Sequence, residues 1–449
     1  MKKEKLAWAV SLILIALLAM QLPGSMPARD EDYAFVRTLV DIHRQLTNRY
    51  VEEIPAEKLR QGAIDGMLNQ LDPYTVYIPP QKQKAFDQMI DGSFEGVGVQ
   101  LHQQDNGAIE VVTPIDDSPA YKAGVNAGDI VLKIDGQSLD GLRLPDVIKK
   151  IQGKMGSEVT LRVRHYDGQE IDLKMPRMQI VVPTVKGFAR KADNGWDYFL
   201  DRDQKIVYIR ITQFTGDTYD KFKAAVTALL GEGMKGLVLD LRFNPGGRLD
   251  SATQIVDLFI DQGVIVSTRG RGRPEETVFA TAKDTLPNFP LIVLVNGSSA
   301  SAAEIVAGSL KDNHRALLIG SRTFGKGSVQ ELMPLEQNSG ELKMTVAYYY
   351  LPSGRLVHRK KDATDWGVIP QITINTDPAQ EVKILRERFD TEVFLKPGTA
   401  PSTAPATVQA AADVQLQRAI DTMTALIVLQ GSQNGATRPT TEPSSVARK

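Results

Sequence analysis

The segment Val293-Leu-Val-Asn-Gly-Ser-Ser-Ala-Ser-Ala-Ala-Glu-Ile305 leads an apolar strand into a turn of small residues that opens a helix. The start of a helix offers unpaired N–H groups and the positive end of the helix dipole, and both favour negative charge. The small neighbours leave room for a peptide carbonyl to approach Ser301. Ser301 is therefore a candidate nucleophile. The alternative is an ordinary N-cap serine that forms a capping box with Glu304.

Strands and helices alternate on both sides of this segment. Such alternation predicts a sheet with crossover helices. The predicted strands are Ile206–Ile211, Gly236–Leu241 and Leu291–Val295, and the predicted helices are Tyr219–Leu230, Leu249–Phe259 and Ala302–Leu310.

A second motif, Thr323-Phe-Gly-Lys-Gly-Ser-Val-Gln330, holds Lys326 between two glycines at the start of a strand-like run. A serine hydroxyl is a poor nucleophile until a base takes its proton, and a lysine with a lowered pKa is able to do so. A phosphate-binding loop built on these glycines is the less favoured alternative. The two motifs together point to a Ser301–Lys326 pair.

Composition excludes several other functions. The 449 residues indicate more than one domain, and 42% apolar with 24% charged residues is typical of a folded chain. A formal net charge of -1 argues against nucleic acid as a partner. The absence of Cys excludes disulfides and cysteine-protease chemistry. No ligand spacing suggests a metal, and no cofactor is predicted.

The N-terminal sequence indicates the cellular compartment of the protein. Lys2, Lys3 and Lys5 precede the apolar run Leu6 to Met20, the order found in signal peptides. The run is shorter than the roughly 20 residues of a spanning helix. A cleaved signal peptide and an uncleaved signal anchor both remain open, with a buried core helix as the third alternative. We expect export, with the protein periplasmic or anchored in the membrane and facing the periplasm.

The segments around Ser301 and Lys326 resemble the active-site block of carboxy-terminal processing (tail-specific) serine proteases. The run Leu237-Val-Leu-Asp-Leu-Arg-Phe-Asn-Pro-Gly-Gly247 resembles the same family, as do Phe94-Glu-Gly-Val-Gly-Val99, Tyr349-Tyr-Leu-Pro-Ser-Gly-Arg355 and Trp366-Gly-Val-Ile-Pro370. The resemblance implies that Ser301 attacks, Lys326 is the general base and Gln330 orients Lys326. It also implies an oxyanion hole formed by the amide of Ala302 and that of Gly246 or Gly247.

Residues 93 to 176 read as short strands with one helix, Leu144–Ile151, whose Val147, Ile148 and Ile151 are expected to face inward. This module resembles a PDZ domain. The resemblance implies capture of a peptide's terminal carboxylate by loop amides while the peptide adds a strand, with an apolar last residue. A sheet-edge turn without a binding role is the alternative. The implied peptide-binding residues are Phe94, Gly96, Val97, Gly98, Val99, Leu144, Val147 and Ile148.

The predicted fold is mixed α/β, with a crotonase-like protease core, an inserted PDZ domain and helical N- and C-terminal segments. The family resemblance supplies the crotonase-like label. The predicted boundaries are 1–28 for the signal peptide or anchor, 29–92 for a helical segment, 93–176 for the PDZ domain, 177–395 for the protease core, 396–430 for a linker and C-terminal helix, and 431–449 for a disordered tail.

The predicted function is a serine endopeptidase that cleaves exported proteins recognised partly by their C-termini. The expected partners are protein or peptide substrates and the membrane, with an activating or adaptor protein and a homo-oligomer left open. Two other functions also remain open, a catalytically silent peptide-binding scaffold and a crotonase-type acyl-thioester enzyme. A histidine base is a rival to Lys326, with His314 the nearest in sequence to Ser301; the others are His43, His102, His165 and His358.

Overall fold

The structure is a computed structural model that describes residues 29–394 and 413–435. The predictions for residues 1–28 and for the linker at 396–412 lie outside the described residues. Residues 431–435, predicted to be part of a disordered tail, instead continue a helix that begins at Val414, and positions 436–449 lie outside the described residues. None of the helices in the described ranges is long and apolar enough to cross a membrane.

The chain divides into two units, residues 1–77 and 78–449. The first contains two amphipathic helices, α1 (Arg29–Arg49) and α2 (Ala56–Leu68). Strand β1 (Val76–Ile78) spans the division. The second unit opens with α3 (Pro80–Ile90), which begins at a proline because its fixed φ suits a first helical position.

Residues 93–181 form a compact β module. An antiparallel sheet has the order β3-β4-β5-β7-β8, with β6 on β5, and β2 pairs separately with β9. Its interior is apolar and includes Val97, Val111 and Leu161. The elements are β2 (Ser93–Gly96), β3 (Val99–Gln103), β4 (Ile109–Pro114), α4 (Pro119–Lys122), β5 (Ile130–Ile134), β6 (Gln137–Ser138), α5 (Leu144–Ile151), β7 (Glu158–Arg164), β8 (Glu170–Pro176) and β9 (Met178–Val181).

The core of the second unit is a mainly parallel sheet of order β10-β14-β15-β18-β19-β22, with β13 antiparallel to β14. Strands buried on both faces need continuous apolar runs, and β14 is buried at every position. The strands are β10 (Val185–Lys186), β13 (Phe199–Asp201), β14 (Ile206–Ile211), β15 (Gly236–Asp240), β18 (Leu291–Val295), β19 (Leu317–Gly320) and β22 (Ile372–Thr373).

Helices cover both faces of this sheet. One face packs on α6 and its neighbours, where Phe222 and Val226 meet Val207. The other face packs on the last helix, where Ala419 and Met423 lie in one cluster with β14 and β15. The helices are α6 (Thr218–Gly231), α7 (Leu249–Asp257), α8 (Ala302–Asp312), α9 (Pro378–Glu392) and α10 (Val414–Gly435).

A second, antiparallel sheet has the order β20-β21-β16-β17, and a small hairpin joins β11 to β12. A short 3-10 turn, Glu336–Asn338, connects β20 to β21. The β20–β21 pair leads directly out of the Lys326 loop. The strands are β11 (Ala189–Arg190), β12 (Trp196–Asp197), β16 (Val264–Arg269), β17 (Glu276–Phe279), β20 (Ser328–Pro334) and β21 (Glu341–Tyr350).

The predicted strands Ile206–Ile211 and Leu291–Val295 and the helix Leu144–Ile151 are confirmed to the residue. The expectation that Ile148 faces inward is wrong. Ile148 is 39% exposed, because the buried side of this short helix is formed by Val147 and Ile151, four residues apart.

Candidate active site

Ser301 lies directly before α8, at the point where the chain leaves β18. Its backbone adopts φ 56° and ψ −118°, a conformation that non-glycine residues rarely adopt. Such strain persists only where surrounding contacts hold the residue in place. The Ser301 amide donates to a carboxylate oxygen of Glu304, 2.9 Å away. The candidate nucleophile is therefore held through its backbone, and its half-buried side chain reaches the surface.

Glu304 joins the two predicted catalytic segments. Its side chain is fully buried, and besides the Ser301 amide it accepts hydrogen bonds from the Thr323 hydroxyl (2.5 Å), the Gly325 amide (2.7 Å) and the Lys326 amide (2.8 Å). Burial raises the pKa of Glu304, and these four hydrogen bonds oppose the rise. Because the amides of Ser301 and Lys326 contact the same oxygen atom, the two backbones are fixed close together.

Strand β21 also holds the Lys326 loop, through Tyr349. The Tyr349 hydroxyl donates to the Lys326 carbonyl, and the Tyr349 amide donates to the Gly327 carbonyl at 3.0 Å. Burial lowers the pKa of the Lys326 amine, the positive charge of Lys343 lowers it further, and Glu304 acts in the opposite direction. A lysine in this environment is neutral more often than one in water, as a general base requires.

A glycine loop after β15 lies against the Ser301 turn. The Ala300 amide donates to the Asn244 carbonyl at 2.9 Å. A Cβ atom on Gly246 would lie 2.7 Å from the Cβ of Ser301, so only glycine fits at this φ of 100°. The two loops that were predicted to form the oxyanion hole are therefore in contact.

The amides in this loop are not equivalent. The Gly246 amide donates to the Asn244 side chain at 2.8 Å. Among the described residues no acceptor contacts the Gly247 amide, and Ala302, as the first residue of α8, has no acceptor within the helix. Of the two glycines left open by the sequence, Gly247 is thus the one whose amide is available beside that of Ala302.

A buried ionic network supports the base of the glycine loop. Arg242 forms paired hydrogen bonds with Asp240 and, at 2.8 Å each, with both carboxylate oxygens of Asp413. Tyr208 and Arg388 also bind Asp240. Burial would raise the pKa of Asp240, but the two arginines hold it well below its usual value. This network joins β15 to the start of α10.

Gln330 lies on β20 at a β-bulge between Val329 and Gln330. Its side-chain amide donates to the Ser328 hydroxyl at 2.9 Å. Bulges often re-aim a side chain beside an active site. The orienting role of Gln330 toward Lys326 stays a prediction.

The histidines have other surroundings. His314 is exposed beyond the C-terminal end of α8, and the 11 residues of that helix place it about 16 Å from Ser301. His165 pairs with Asp129 in the β module at 2.8 Å, and His358 stacks on Tyr348. His43 and His102 are exposed. Within the described ranges no group of three or more acidic or histidine side chains is arranged to hold a metal.

The β module contains a small apolar cavity of about 110 Å³ between the Phe94–Val99 loop and α5. Strand β3 is at the edge of its sheet and lies beside α5, the position in which a peptide strand can be added. Neither Leu144 nor Val147 lines the cavity, because Val147 is fully buried and Leu144 packs on the module's interior. The lining residues are Phe94, Gly96, Val97, Gly98, Val99, Leu101, Ile148, Ile151 and Gln152.

Comparison with known families and proteins agrees with this arrangement. The model of peptidase family S41 matches residues 205–374, that of the PDZ domain matches 110–165, and that of the activating protease CtpB N-terminal domain matches 24–81. A carboxy-terminal-processing protease from Bartonella bacilliformis is 39% identical over 349 residues, covering 76% of each chain. A probable CtpA-like serine protease from Staphylococcus aureus is 35% identical over 358 residues, covering 79% of this chain and 68% of that protein.

A solved photosystem II D1 C-terminal processing protease is 26% identical and overlaps 79% of this chain and 97% of its own, with a TM-score of 0.42. The family assignment rests on the sequence relatives rather than on this overlap. The core and the β module together define a PDZ-containing serine peptidase. The chain belongs to the carboxy-terminal-processing protease family, within peptidase family S41. The predicted fold class and enzyme class are confirmed.

The sequence does not predict the contacts of several residues that build the site. Glu304 was expected only to cap α8, and its spacing from Ser301 gave no sign that it also reaches residues 323–326. Asn244 and Lys343 were not singled out at all. A polar residue two positions before the glycine pair, separated from it by Pro245, is the sequence signal for Asn244.

Proposed function

We propose that this protease cleaves exported protein substrates with a Ser301–Lys326 dyad and selects them partly by their C-termini through its PDZ domain. The observation that supports this most is the Glu304 carboxylate, which accepts the amides of both Ser301 and Lys326 on one oxygen atom. A buried carboxylate shared in this way holds the backbones of Ser301 and Lys326 close to each other.

The chemistry follows from the contacts. Neutral Lys326 accepts the Ser301 proton as the hydroxyl attacks the peptide carbonyl, and the amides of Ala302 and Gly247 stabilise the oxyanion. The Lys326 ammonium then protonates the leaving amine, which yields an acyl-enzyme. A water molecule, deprotonated by Lys326, releases the acyl group and restores Ser301.

The PDZ domain supplies the selection. An apolar terminal side chain fits the 110 Å³ cavity, and the edge of β3 offers backbone hydrogen bonds to the peptide before it. Binding of the tail raises the effective concentration of the upstream chain at Ser301. Peptides with free and amidated termini test this part, and equal kcat/KM for both would contradict carboxylate recognition.

Export is a separate part of the proposal. It rests on Lys2, Lys3, Lys5 and the apolar run that follows them. Fractionation of cells that express the full chain, with added protease as the probe of accessibility, tests it. Recovery in the cytoplasmic fraction, protected from added protease, would contradict export.

The dyad is tested with Ser301→Ala, Lys326→Ala and Lys326→Arg, assayed for digestion of casein. We expect each to lose activity while circular dichroism and the melting temperature stay close to those of the wild type. Arginine fails because its guanidinium stays protonated. His314→Ala is the control and should retain activity. Activity near the wild-type level in either alanine variant of the dyad would exclude the mechanism.

A further inference from the structure

Two arginines stack on one tryptophan beside the catalytic lysine loop. The guanidinium carbon of Arg322 lies 4.3 Å from the ring centre of Trp366, and that of Arg359 lies 4.5 Å from it. Both distances are within the range of a cation–π interaction. We call these three residues the arginine–tryptophan stack.

The stack is attached to the segment that carries Lys326. A Cβ atom on Gly325 would lie 2.6 Å from Trp366 and 2.9 Å from the Cβ of Arg359, so both side chains pack directly on Gly325. The Arg359 amide donates to the Gly325 carbonyl at 2.8 Å. The preceding residue, Phe324, donates its amide to the Ser299 carbonyl at 3.0 Å. The arginine–tryptophan stack therefore packs on Gly325, the residue directly before Lys326. The same segment is linked to the Ser301 turn through Phe324.

Within the described part of the chain, neither guanidinium forms an ion pair with a carboxylate, although the charge of Arg322, after the hydrogen bond from Arg355, helps to lower the pKa of Asp365. Asp365, next to Trp366, makes its paired contacts with Arg355 at 2.9 Å each. Arg322 donates one bond of 3.2 Å to the Thr364 carbonyl, and no ion pair joins Arg359 to any described residue. A guanidinium lying on a ring keeps its in-plane N–H groups available, and that fork matches the geometry of a carboxylate.

The surroundings favour contact with a substrate rather than a purely internal role. Arg359, Lys360 and Lys361 are exposed, and the Phe324 side chain, on the same loop, is 46% exposed. An exposed aromatic residue beside two guanidinium groups that form no ion pair in the described ranges combines apolar contact with charge recognition.

We infer that the arginine–tryptophan stack is a substrate subsite that binds a carboxylate close to the scissile bond, so that the protease prefers an acidic residue there. This inference rests on the proposed function, because it assigns specificity to the same catalytic centre. The carboxylate belongs either to an Asp or Glu side chain of the substrate or to a chain terminus, and the experiment separates these sources.

The experiment uses the full-length protein and peptides that share an apolar C-terminus. One Glu is moved along the positions on either side of the cleaved bond, each peptide has a Gln counterpart, and each is made with a free and an amidated terminus. We expect the wild type to favour Glu over Gln by roughly five-fold in kcat/KM at one position near the bond. The preference should weaken in high salt.

The variants are Arg322→Gln, Arg359→Gln and their combination, with Arg271→Gln, an exposed arginine in the β16–β17 turn, as the control. The Glu-to-Gln ratio should fall toward one in the double variant and persist in the control. A merely structural role for the stack would lower kcat/KM for Glu and Gln peptides alike and leave their ratio intact. The single variants cover the case in which the double variant unfolds.

Two outcomes would overturn the inference. In the first, the wild type shows a Glu-to-Gln ratio near one at every position and no dependence on the free terminus. In the second, the preference for Glu survives in the double variant. A free-terminus preference that disappears in the double variant, without a side-chain effect, assigns the site to a terminal carboxylate. If the wild type cleaves neither peptide, the proposed function fails instead. Fluorescence anisotropy of the same labelled peptides, Glu against Gln, then decides whether the stack binds a carboxylate.

Discussion

The proposed catalytic loops, which are the Ser301 turn, the Lys326 loop and the glycine loop after β15, lie in the same unit as the PDZ pocket. The two regions are held together by different forces. Around Ser301, buried polar side chains accept hydrogen bonds from backbone amides, Asn244 from Gly246 in its own loop and Glu304 from Gly325 in a neighbouring loop. Around the 110 Å³ cavity the walls are almost entirely apolar, with glycines at two positions of the loop.

The contrast reflects two tasks. A developing oxyanion requires donors fixed to within a fraction of an ångström, and hydrogen bonds to a buried carboxylate provide that precision. A pocket for varied peptide tails needs only a suitable apolar shape. Changes in the catalytic loops should therefore affect turnover strongly, and changes in the pocket should alter selectivity modestly.

Outside the Ser301–Lys326 pair, the largest effect is expected from Gly246→Ala. The new methyl group would lie 2.7 Å from the Ser301 Cβ and 2.8 Å from the Ala300 carbonyl oxygen, so it displaces the nucleophile turn. We expect kcat/KM to fall by about 10²- to 10³-fold, as for loss of an oxyanion contact. Gly272→Ala is the matched control, because Gly272 also has a positive φ but has open space around it. Normal kcat/KM in the Gly246 variant would show that the loop is not part of the site.

Glu304→Gln tests the bridge between the catalytic loops. The amide keeps the shape but replaces one acceptor oxygen with a donor, which leaves buried N–H groups unpaired. The free energy of unfolding should fall by about 2–4 kcal/mol and kcat by roughly 10- to 100-fold. Urea denaturation and steady-state kinetics measure the two effects, with the exposed Glu336→Gln as control. Loss of stability without loss of kcat would reduce Glu304 to a structural role.

Lys343→Gln tests the proposed role of Lys326 through the pH dependence of kcat/KM. Lys343 lowers the pKa of Lys326, so its removal raises that pKa. Because the unprotonated amine is the active form in the proposed mechanism, kcat/KM should rise with pH, and the rising limb should move to higher pH in the variant. The variant should be slower than the wild type at neutral pH and approach it in alkali. An unchanged pH profile, or one that His314→Ala removes, would reject Lys326 as the titrating base.

The smallest effect is expected in the pocket. Ile148 is 39% exposed and lines the cavity, so Ile148→Ala enlarges it without opening the interior of the domain. KM for a substrate with an apolar terminus should rise by about 3- to 10-fold, with kcat little changed. Ile171→Ala is the control, since Ile171 has similar exposure, 36%, but lies away from the cavity. A large loss of kcat would show that the pocket also controls the catalytic loops.

The sequence predicted those features that depend on local pattern. The strand Ile206–Ile211 is predictable because a strand buried on both faces needs a nearly continuous apolar run, which the sequence shows. The Ser301 turn is predictable because small residues separate a strand from a helix. The contact of Glu304 with the Lys326 amide joins residues 22 positions apart and leaves no local pattern. The loop residues Phe94, Gly96, Val97, Gly98 and Val99 line the cavity, and their role in peptide binding stays a prediction. The inward orientation expected of Ile148 is wrong, because two turns of helix leave the rotation of the helix undetermined.

The Arg242–Asp413 contact has a consequence for folding. It joins residues 171 positions apart, and the α10 segment that follows Asp413 covers one face of the core sheet. Contacts of such long range form late, after the intervening chain has been made. Before α10 has docked, Arg242 and Asp240 lack part of their network and this face of the core sheet lacks its cover. The glycine loop that follows β15 therefore gains its full support only when a segment 171 positions away has folded onto the sheet.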